Sequence, residues 1–148
     1  MSKTEQLTYA LTLHVRDYCL CMHARRAARA MARRYDEALR PAGLTNGQFS
    51  LLMSLNRPEP PGMGDVASLL AMDRTTLTAN LKPLERRGLI RTMVDKEDRR
   101  GRRLALTQAG RGALAAAMPL WRRAQAENEG LLQDMDADRV RAAFLALS

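Results

Sequence analysis

The sequence predicts a mainly α-helical fold of the α+β class, in which one short β-hairpin interrupts a single domain of 148 residues. Aromatic residues make up only 4% of the chain, while leucine, alanine, arginine and methionine are abundant, and this composition favours helices. No glycine or proline occurs between residues 11 and 40, which predicts one long helix. After Gly88, apolar and polar residues alternate with the period of a strand.

The predicted first helix covers residues 11–40 and ends at Pro41 and Gly43. Its polar side includes arginines spaced four residues apart, namely Arg25, Arg29 and Arg33. Thr45 is suited to cap a second helix. The prolines and the glycine of residues 57–62 end this helix. The apolar side of this second helix carries Phe49, Leu52, Met53 and Leu55.

Two short helices joined by a tight turn follow, and they predict a helix-turn-helix. The first covers residues 64–71, and the second begins after the N-cap Asp73 and runs to about Arg87. Leu77, Leu81 and Leu84 share the buried side of the second helix. Pro83 removes one backbone hydrogen bond, so we expect this helix to bend without interrupting the motif.

The alternating segment after Gly88 predicts a hairpin beside that motif. One strand contains Ile90, Thr92 and Val94, and the returning strand contains Leu104 and Leu106. The turn between them, residues 96–101, is highly charged. A helix-turn-helix followed by a hairpin with a basic tip is the plan of a winged helix.

Two more helices complete the predicted chain. Thr107 caps a long helix that contains Pro119 as an expected bend, and Asp136 starts an amphipathic helix bearing Val140, Phe144 and Leu147. Residues 45–107 therefore form the predicted DNA-binding lobe, while residues 11–40 and 108–148 form dimerisation helices. These outer helices are apolar along one side, which predicts a symmetric homodimer over a monomer with a helical cap.

The basic charge is concentrated in the predicted lobe. The chain carries a net charge of +8, and residues 73–103 hold ten basic and five acidic side chains, a net charge of +5. A local surplus of this size indicates a polyanionic partner. The sequence has no long apolar run and no apolar signal-peptide core, so we expect a cytoplasmic protein without a membrane partner. Two cysteines are too few for a disulfide framework.

Residues 73–90 and 95–110 resemble the MarR family of transcriptional regulators. The second segment is similar to the family's wing, with an Asp-Arg-Arg turn, a strand ending in Leu-Thr and a helix start containing glycine. Residues 39–55 also resemble the family's entry into its second helix, and the resemblance spans about residues 13–147. It implies a triangular homodimer that binds a pseudo-palindromic operator in double-stranded DNA and is often released by a small molecule. We expect a regulator of this kind, acting as a repressor.

The expected DNA contacts come from the recognition helix and the wing. The outer face of the helix offers groups that reach base edges or phosphates in a major groove, and its first residues offer a helix N-terminus that favours phosphate. The resemblance places Arg100 in the minor groove, with Arg99 and Arg102 beside it. The predicted set is Asp73, Arg74, Thr75, Thr76, Thr78, Lys82, Arg99, Arg100 and Arg102.

Two hypotheses describe the regulatory stimulus. The resemblance implies an effector pocket between the dimerisation helices and the DNA-binding lobe, with Tyr18, Met22, Arg25, Phe49 and Met53 as candidate lining. Ordinary core packing is the alternative for the methionines and the phenylalanine.

The second hypothesis is a thiol switch. Compared with the family's hydroperoxide-sensing branch, Cys21 matches the reactive cysteine and Tyr35 one of two partner tyrosines, while Asn46 occupies the other tyrosine position. Two cysteines packed as small hydrophobic residues are the alternative. Cys19 and His23 share a helix face but fall short of a four-ligand site, so neither a metal nor a cofactor is predicted.

Other classes of protein fit the sequence less well. An enzyme requires a nucleophile with a base, paired acids or a phosphate loop, and no such pattern occurs. A basic dimer that coats DNA without sequence preference is the remaining rival, and the specificity of binding distinguishes it from a regulator.

Overall fold

The computed structural model describes residues 6–148, which form seven α-helices, one short 3-10 helix and one two-stranded sheet. The chain divides into two compact units, Met1–Arg33 and Arg34–Ser148. Among the described helices, none combines the length and the apolar character that crossing a bilayer requires.

The predicted long first helix is divided into two. Helix α1 spans Tyr9–Tyr18 and helix α2 spans Leu20–Leu39, with Cys19 in an extended conformation between them (φ −70°, ψ 108°). The Cys19 carbonyl accepts bonds from the backbone N–H of His23 at 3.1 Å and from its imidazole Nδ1 at 2.8 Å. The expectation of a single helix over residues 11–40 was wrong. The break at Cys19 contains no glycine or proline that would mark it in the sequence, and the bond from the His23 side chain to the Cys19 carbonyl stabilises it.

The second unit begins within α2 and continues through a 3-10 turn, Arg40–Ala42, to helix α3, Asn46–Ser54. Gly43 lies in the left-handed region at φ +70°, which favours glycine. Thr45 and Gln48 form a reciprocal capping box, so the predicted Thr45 cap is confirmed.

The helix-turn-helix consists of helix α4, Met63–Leu69, and helix α5, Arg74–Arg86. In the turn, Ala71 adopts φ +51° and the N–H of Met72 donates to the Ala67 carbonyl at 2.9 Å. Helix α5 continues through Pro83, as expected.

The hairpin pairs strand β1, Ile90–Val94, with strand β2, Arg102–Leu106, in an antiparallel register that places Thr92 opposite Leu104. A third segment supports it, because Gly62 bridges Arg103 and the Leu104 N–H donates to the Pro61 carbonyl at 2.9 Å. The predicted winged-helix arrangement is confirmed.

Helix α6 spans Gln108–Gly130 and passes through Pro119, and helix α7 spans Ala137–Leu147. The core lies in the second unit, where leucines from α2, α3, α5 and β2 are almost completely buried, and Phe49 stacks on Trp121 with ring centroids 6.1 Å apart. Neither α1 nor α7 contains a buried residue. The most deeply buried leucines are Leu39, Leu51, Leu52, Leu77, Leu84 and Leu104.

Candidate nucleic-acid interface

Helix α5 begins with a tightly bonded cap. The Asp73 carboxylate accepts from the backbone N–H of Thr76 at 2.8 Å and from its hydroxyl at 2.9 Å. These bonds lower the pKa of Asp73, so the carboxylate stays charged at neutral pH. Asp73 and Thr76 therefore hold the start of the helix, and Asp73 offers no hydrogen-bond donor to a nucleic acid.

The side chains on the outer face of α5 do not pack in the hydrophobic core. Thr75, Thr78 and Lys82 are exposed, while Leu77, Leu81 and Leu84 on the opposite face are buried, as predicted. The Thr78 hydroxyl donates to the Arg74 carbonyl at 2.8 Å, which leaves its methyl group and its acceptor lone pairs for a ligand. Lys82 extends a single cation from the same face. These side chains suit the major groove of DNA, where the threonines can meet the donors and acceptors of the base edges and the lysine can meet a phosphate.

The turn of the hairpin is held by carboxylates that point back into it. Asp98 accepts from the backbone N–H of Arg100 at 3.0 Å, and Asp95 accepts from that of Glu97 at 3.0 Å. The Glu97 bond, followed by the nearby Arg103 guanidinium, lowers the pKa of Asp95. Both of these carboxylates are thus engaged in the turn, while Glu97 and the surrounding arginines are exposed.

The three predicted wing arginines are exposed, but their environments differ. Arg102 folds against the turn, where its guanidinium donates to the carbonyls of Arg99 at 3.3 Å and Gly101 at 3.1 Å. No side-chain hydrogen bond or ion pair involves Arg100 within the described residues. The same holds for the side chain of Arg99, so Arg99 and Arg100 are the wing arginines that are free to enter a groove.

Arg103 supports the wing, a role that was not predicted from the sequence. Its guanidinium donates to the Pro60 carbonyl at 2.8 Å and pairs with Asp95 at 3.3 Å, which joins the hairpin to the loop before α4. The hydroxyl of Thr92 also donates to Glu85, which joins β1 to α5. In the strand alternation residue 103 falls on the side opposite Leu104 and Leu106, so the sequence pattern gives no signal of its supporting role.

The candidate effector residues line two different cavities. Met22 and Arg25 border a cavity of about 400 Å³ within the first unit, while Phe49 and Met53 border one of about 380 Å³ within the second. Tyr18 is exposed and stacks on His14 at 4.6 Å. The second cavity lies between α3, α4 and α6, and its lining is Phe49, Ser50, Met53, Ser54, Leu69, Leu70, Met118 and Trp121.

The candidate redox residues also have distinct surroundings. Cys21 is exposed and Cys19 is half-buried, and both are free thiols. The hydroxyl of Tyr35 donates to the Gln125 side chain at 2.5 Å within the second unit. Burial, with a smaller contribution from Glu129, raises the pKa of Tyr35. In the described part of the chain, no group of three or more His, Cys, Asp or Glu side chains is placed to hold a metal ion.

Three comparisons place this chain among known proteins. The MarR family sequence profile matches residues 44–101, the helix-turn-helix and most of the wing. The HTH-type transcriptional regulator TtmR of Methylorubrum extorquens is 36% identical over 96 residues, which is 65% of this chain and 49% of TtmR. The match therefore spans about half the length of that curated relative.

Two solved structures are similar over most of their length. The M. tuberculosis transcriptional regulator MosR, crystallised in complex with DNA, is 44% identical, with a TM-score of 0.80 over 87% of this chain and 92% of MosR. A probable transcriptional regulator from Pseudomonas aeruginosa is 26% identical, with a TM-score of 0.80 over 89% of this chain and 98% of its own.

Proposed function

The chain belongs to the MarR family of transcriptional regulators, and on that premise we propose that it is a repressor that binds a pseudo-palindromic DNA operator as a homodimer. The observation that carries the proposal is the exposed basic surface formed by the outer face of α5 and the tip of the wing. Two of the three acids of the hairpin turn, Asp95 and Asp98, accept backbone hydrogen bonds, so Glu97 is the acid there that opposes the basic charge. The DNA complex of MosR supports the same partner.

In the proposed complex, α5 enters the major groove and the wing reaches the adjacent minor groove. Thr75, Thr78 and Lys82 meet bases or phosphates, while Arg100 enters the minor groove and senses its width. Arg74 lies at the N-terminus of α5, where its charge and the free N–H groups favour a phosphate. Asp73 and Thr76 contribute by fixing the first turn of the helix.

The proposed homodimer rests on the apolar surface of the outer helices. In α7, the side chains of Phe144, Leu145 and Leu147 are 45%, 76% and 69% exposed. In the first unit, Tyr9 and Leu20 are 75% and 72% exposed. Large apolar side chains exposed in each unit in this way mark an interface, and a second copy provides the matching surface.

The test is selection of duplexes from a random pool, combined with measurement of the mass in solution. We expect a two-fold-related site whose half-sites lie about one helical turn apart, bound by a particle of twice the 16.5 kDa chain mass. Failure to enrich such a site, with tight binding to all duplexes, would support the architectural DNA-binding alternative.

We further propose that a neutral, largely apolar small molecule releases the operator by binding the second-unit cavity. The volume of about 380 Å³ suits a small ligand. The Ser54 hydroxyl already donates to the Leu51 carbonyl at 2.6 Å, so Ser50 is the lining residue with a hydroxyl left to orient a ligand. Leu69 and Leu70 end α4 directly before the turn into α5, so a ligand that moves α4 displaces the recognition helix.

Enlarging Ser50 tests this cavity. The Ser50→Leu variant is expected to weaken binding of a neutral aromatic ligand at least tenfold by filling the space, while DNA affinity in the absence of ligand changes less than twofold. Because Trp121 lines the cavity and is the single tryptophan of the chain, its fluorescence reports occupancy directly. Ala116→Leu adds a larger side chain at an exposed position of α6 outside the lining and serves as the control.

The thiol hypothesis is the second candidate, favoured by the position of Cys19 at the break between α1 and α2 and by the exposure of Cys21. The bond from Tyr35 to Gln125 gives that hydroxyl a partner other than a thiol, which favours the apolar ligand. Two results together would reverse this preference. Stoichiometric hydroperoxide would release DNA from the parent chain but not from the Cys21→Ser variant, and no ligand would change the fluorescence of Trp121.

A further inference from the structure

The first unit carries a concentration of arginines that the proposed DNA contacts do not use. Its described residues contain five arginines and no lysine, against the single carboxylate of Asp17. Four of the arginines lie on α2, where Arg25, Arg29 and Arg33 recur every fourth residue and Arg26 lies beside them. Like charges four residues apart on a helix repel each other, so the sequence tolerates an unfavourable arrangement here.

These arginines are not neutralised by the protein. Asp17 is engaged by Arg16, whose guanidinium donates to its two oxygens at 2.6 and 3.0 Å. Over residues 6–148, no carboxylate oxygen lies within 4.0 Å of the guanidinium nitrogens of Arg25, Arg26 or Arg29. Within the described residues, the arginines that pair with an acid are Arg16, Arg103 and Arg141.

The unpaired guanidinium groups border a concave space. A cavity of about 400 Å³ lies within the first unit, and it is lined by Arg16, Met22, His23, Arg25, Arg26 and Arg29. Met22 and the arginine side-chain methylenes provide an apolar part of the wall. His23 is oriented by its bond to the Cys19 carbonyl, which can only accept, so Nδ1 carries the hydrogen.

We propose that this cavity binds a diphosphate group, either as free pyrophosphate or as part of a nucleotide-like metabolite. Guanidinium groups bind phosphate oxygens through two parallel N–H donors, and three unpaired arginines supply the charge and the donors for two adjacent phosphates. All the cations among residues 6–33, apart from the histidines, are arginines, which fits such bidentate contacts. The volume of about 400 Å³ is in the range of small-molecule sites.

Calorimetric titration of the full chain without DNA tests the site, with pyrophosphate and ADP as separate probes. We expect saturable binding of at least one probe near one equivalent per chain, weakened at least tenfold by the double substitution Arg25→Gln and Arg29→Gln. ADP binding tighter than pyrophosphate would assign the ligand to a nucleotide-like metabolite, and the reverse order to the free anion. Circular dichroism verifies that the variant remains helical.

Arg33→Gln is the matched control, because it removes one charge from the same helix without touching the lining. We expect it to leave probe binding within twofold of the parent chain. Absence of saturable binding, or an equal loss in Arg33→Gln, would overturn the proposal. A double variant that loses only DNA affinity, with a shallower salt dependence, would assign the arginines to the DNA backbone instead. Since the titration contains no DNA, it does not depend on the proposed operator binding.

Discussion

The Gly110→Ala variant is expected to be destabilised by about 3 kcal/mol or more and to lose operator affinity with it. A Cβ atom at Gly110 would lie 2.1 Å from the Leu89 carbonyl oxygen and 3.1 Å from its carbon, and neither backbone atom can move alone. At this junction the N–H of Thr107 donates to the Leu89 carbonyl at 3.1 Å, and its hydroxyl donates to the Gly88 carbonyl at 2.6 Å. Urea denaturation at matched protein concentration measures the loss.

Gly112→Ala is the control for this prediction, because a Cβ atom there meets no atom within 4 Å and the residue lies in the same helix. Alanine is the better helix former, so this variant is expected to gain about 1 kcal/mol in the free energy of unfolding. A stability of Gly110→Ala equal to that of Gly112→Ala would contradict the close approach of α6 to the start of the wing.

Arg100→Ala is expected to weaken operator binding by about tenfold to a hundredfold while leaving stability unchanged. The side chain is exposed and forms no bond that holds the wing, so its removal affects the DNA contact alone. The slope of log K against log salt concentration should decrease by about one unit for the lost contact. Fluorescence anisotropy with the selected operator at several salt concentrations measures both quantities.

Two comparisons make the Arg100 result specific. Arg122→Ala removes the same charge from an exposed position in the middle of α6, and we expect its affinity and salt slope to match those of the parent chain. Arg100→Lys keeps the charge but removes the planar fork, so it should recover the slope more fully than the affinity. Equal affinities for Arg100→Ala and the parent chain at matched salt would remove Arg100 from the interface.

The elements predicted correctly from the sequence are those with local determinants. Thr45, Asp73 and Thr107 each cap the helix that follows them, because a cap depends on bonds to residues only three positions away. The burial of Leu77, Leu81 and Leu84 follows in the same way from helical periodicity. The two strands after Gly88 also lie where the sequence predicts them, although their burial does not alternate, since Thr92 and Val94 are exposed and Ala105 is buried.

Features that depend on distant residues were harder to predict. Met53 shares the apolar pattern of α3, yet it is 38% exposed because it lines a cavity between α3, α4 and α6. Leu69 and Trp121 line that cavity too, although they are far apart in the chain. Arg103 reads as one more basic residue of the wing, and only its partners Pro60 and Asp95 identify it as a support.

The order and type of the helices and strands of the winged-helix unit, and the location of its basic surplus, follow from the sequence alone. These depend on capping, periodicity and charge, which act over a few residues. Only the tertiary structure decided which cations are available to a ligand, since this depends on the acceptors that folding brings near each one. It showed that Arg102 and Arg103 are engaged by backbone or acidic groups while Arg99 and Arg100 extend freely, and that Arg25 and Arg29 border a cavity without an acidic partner.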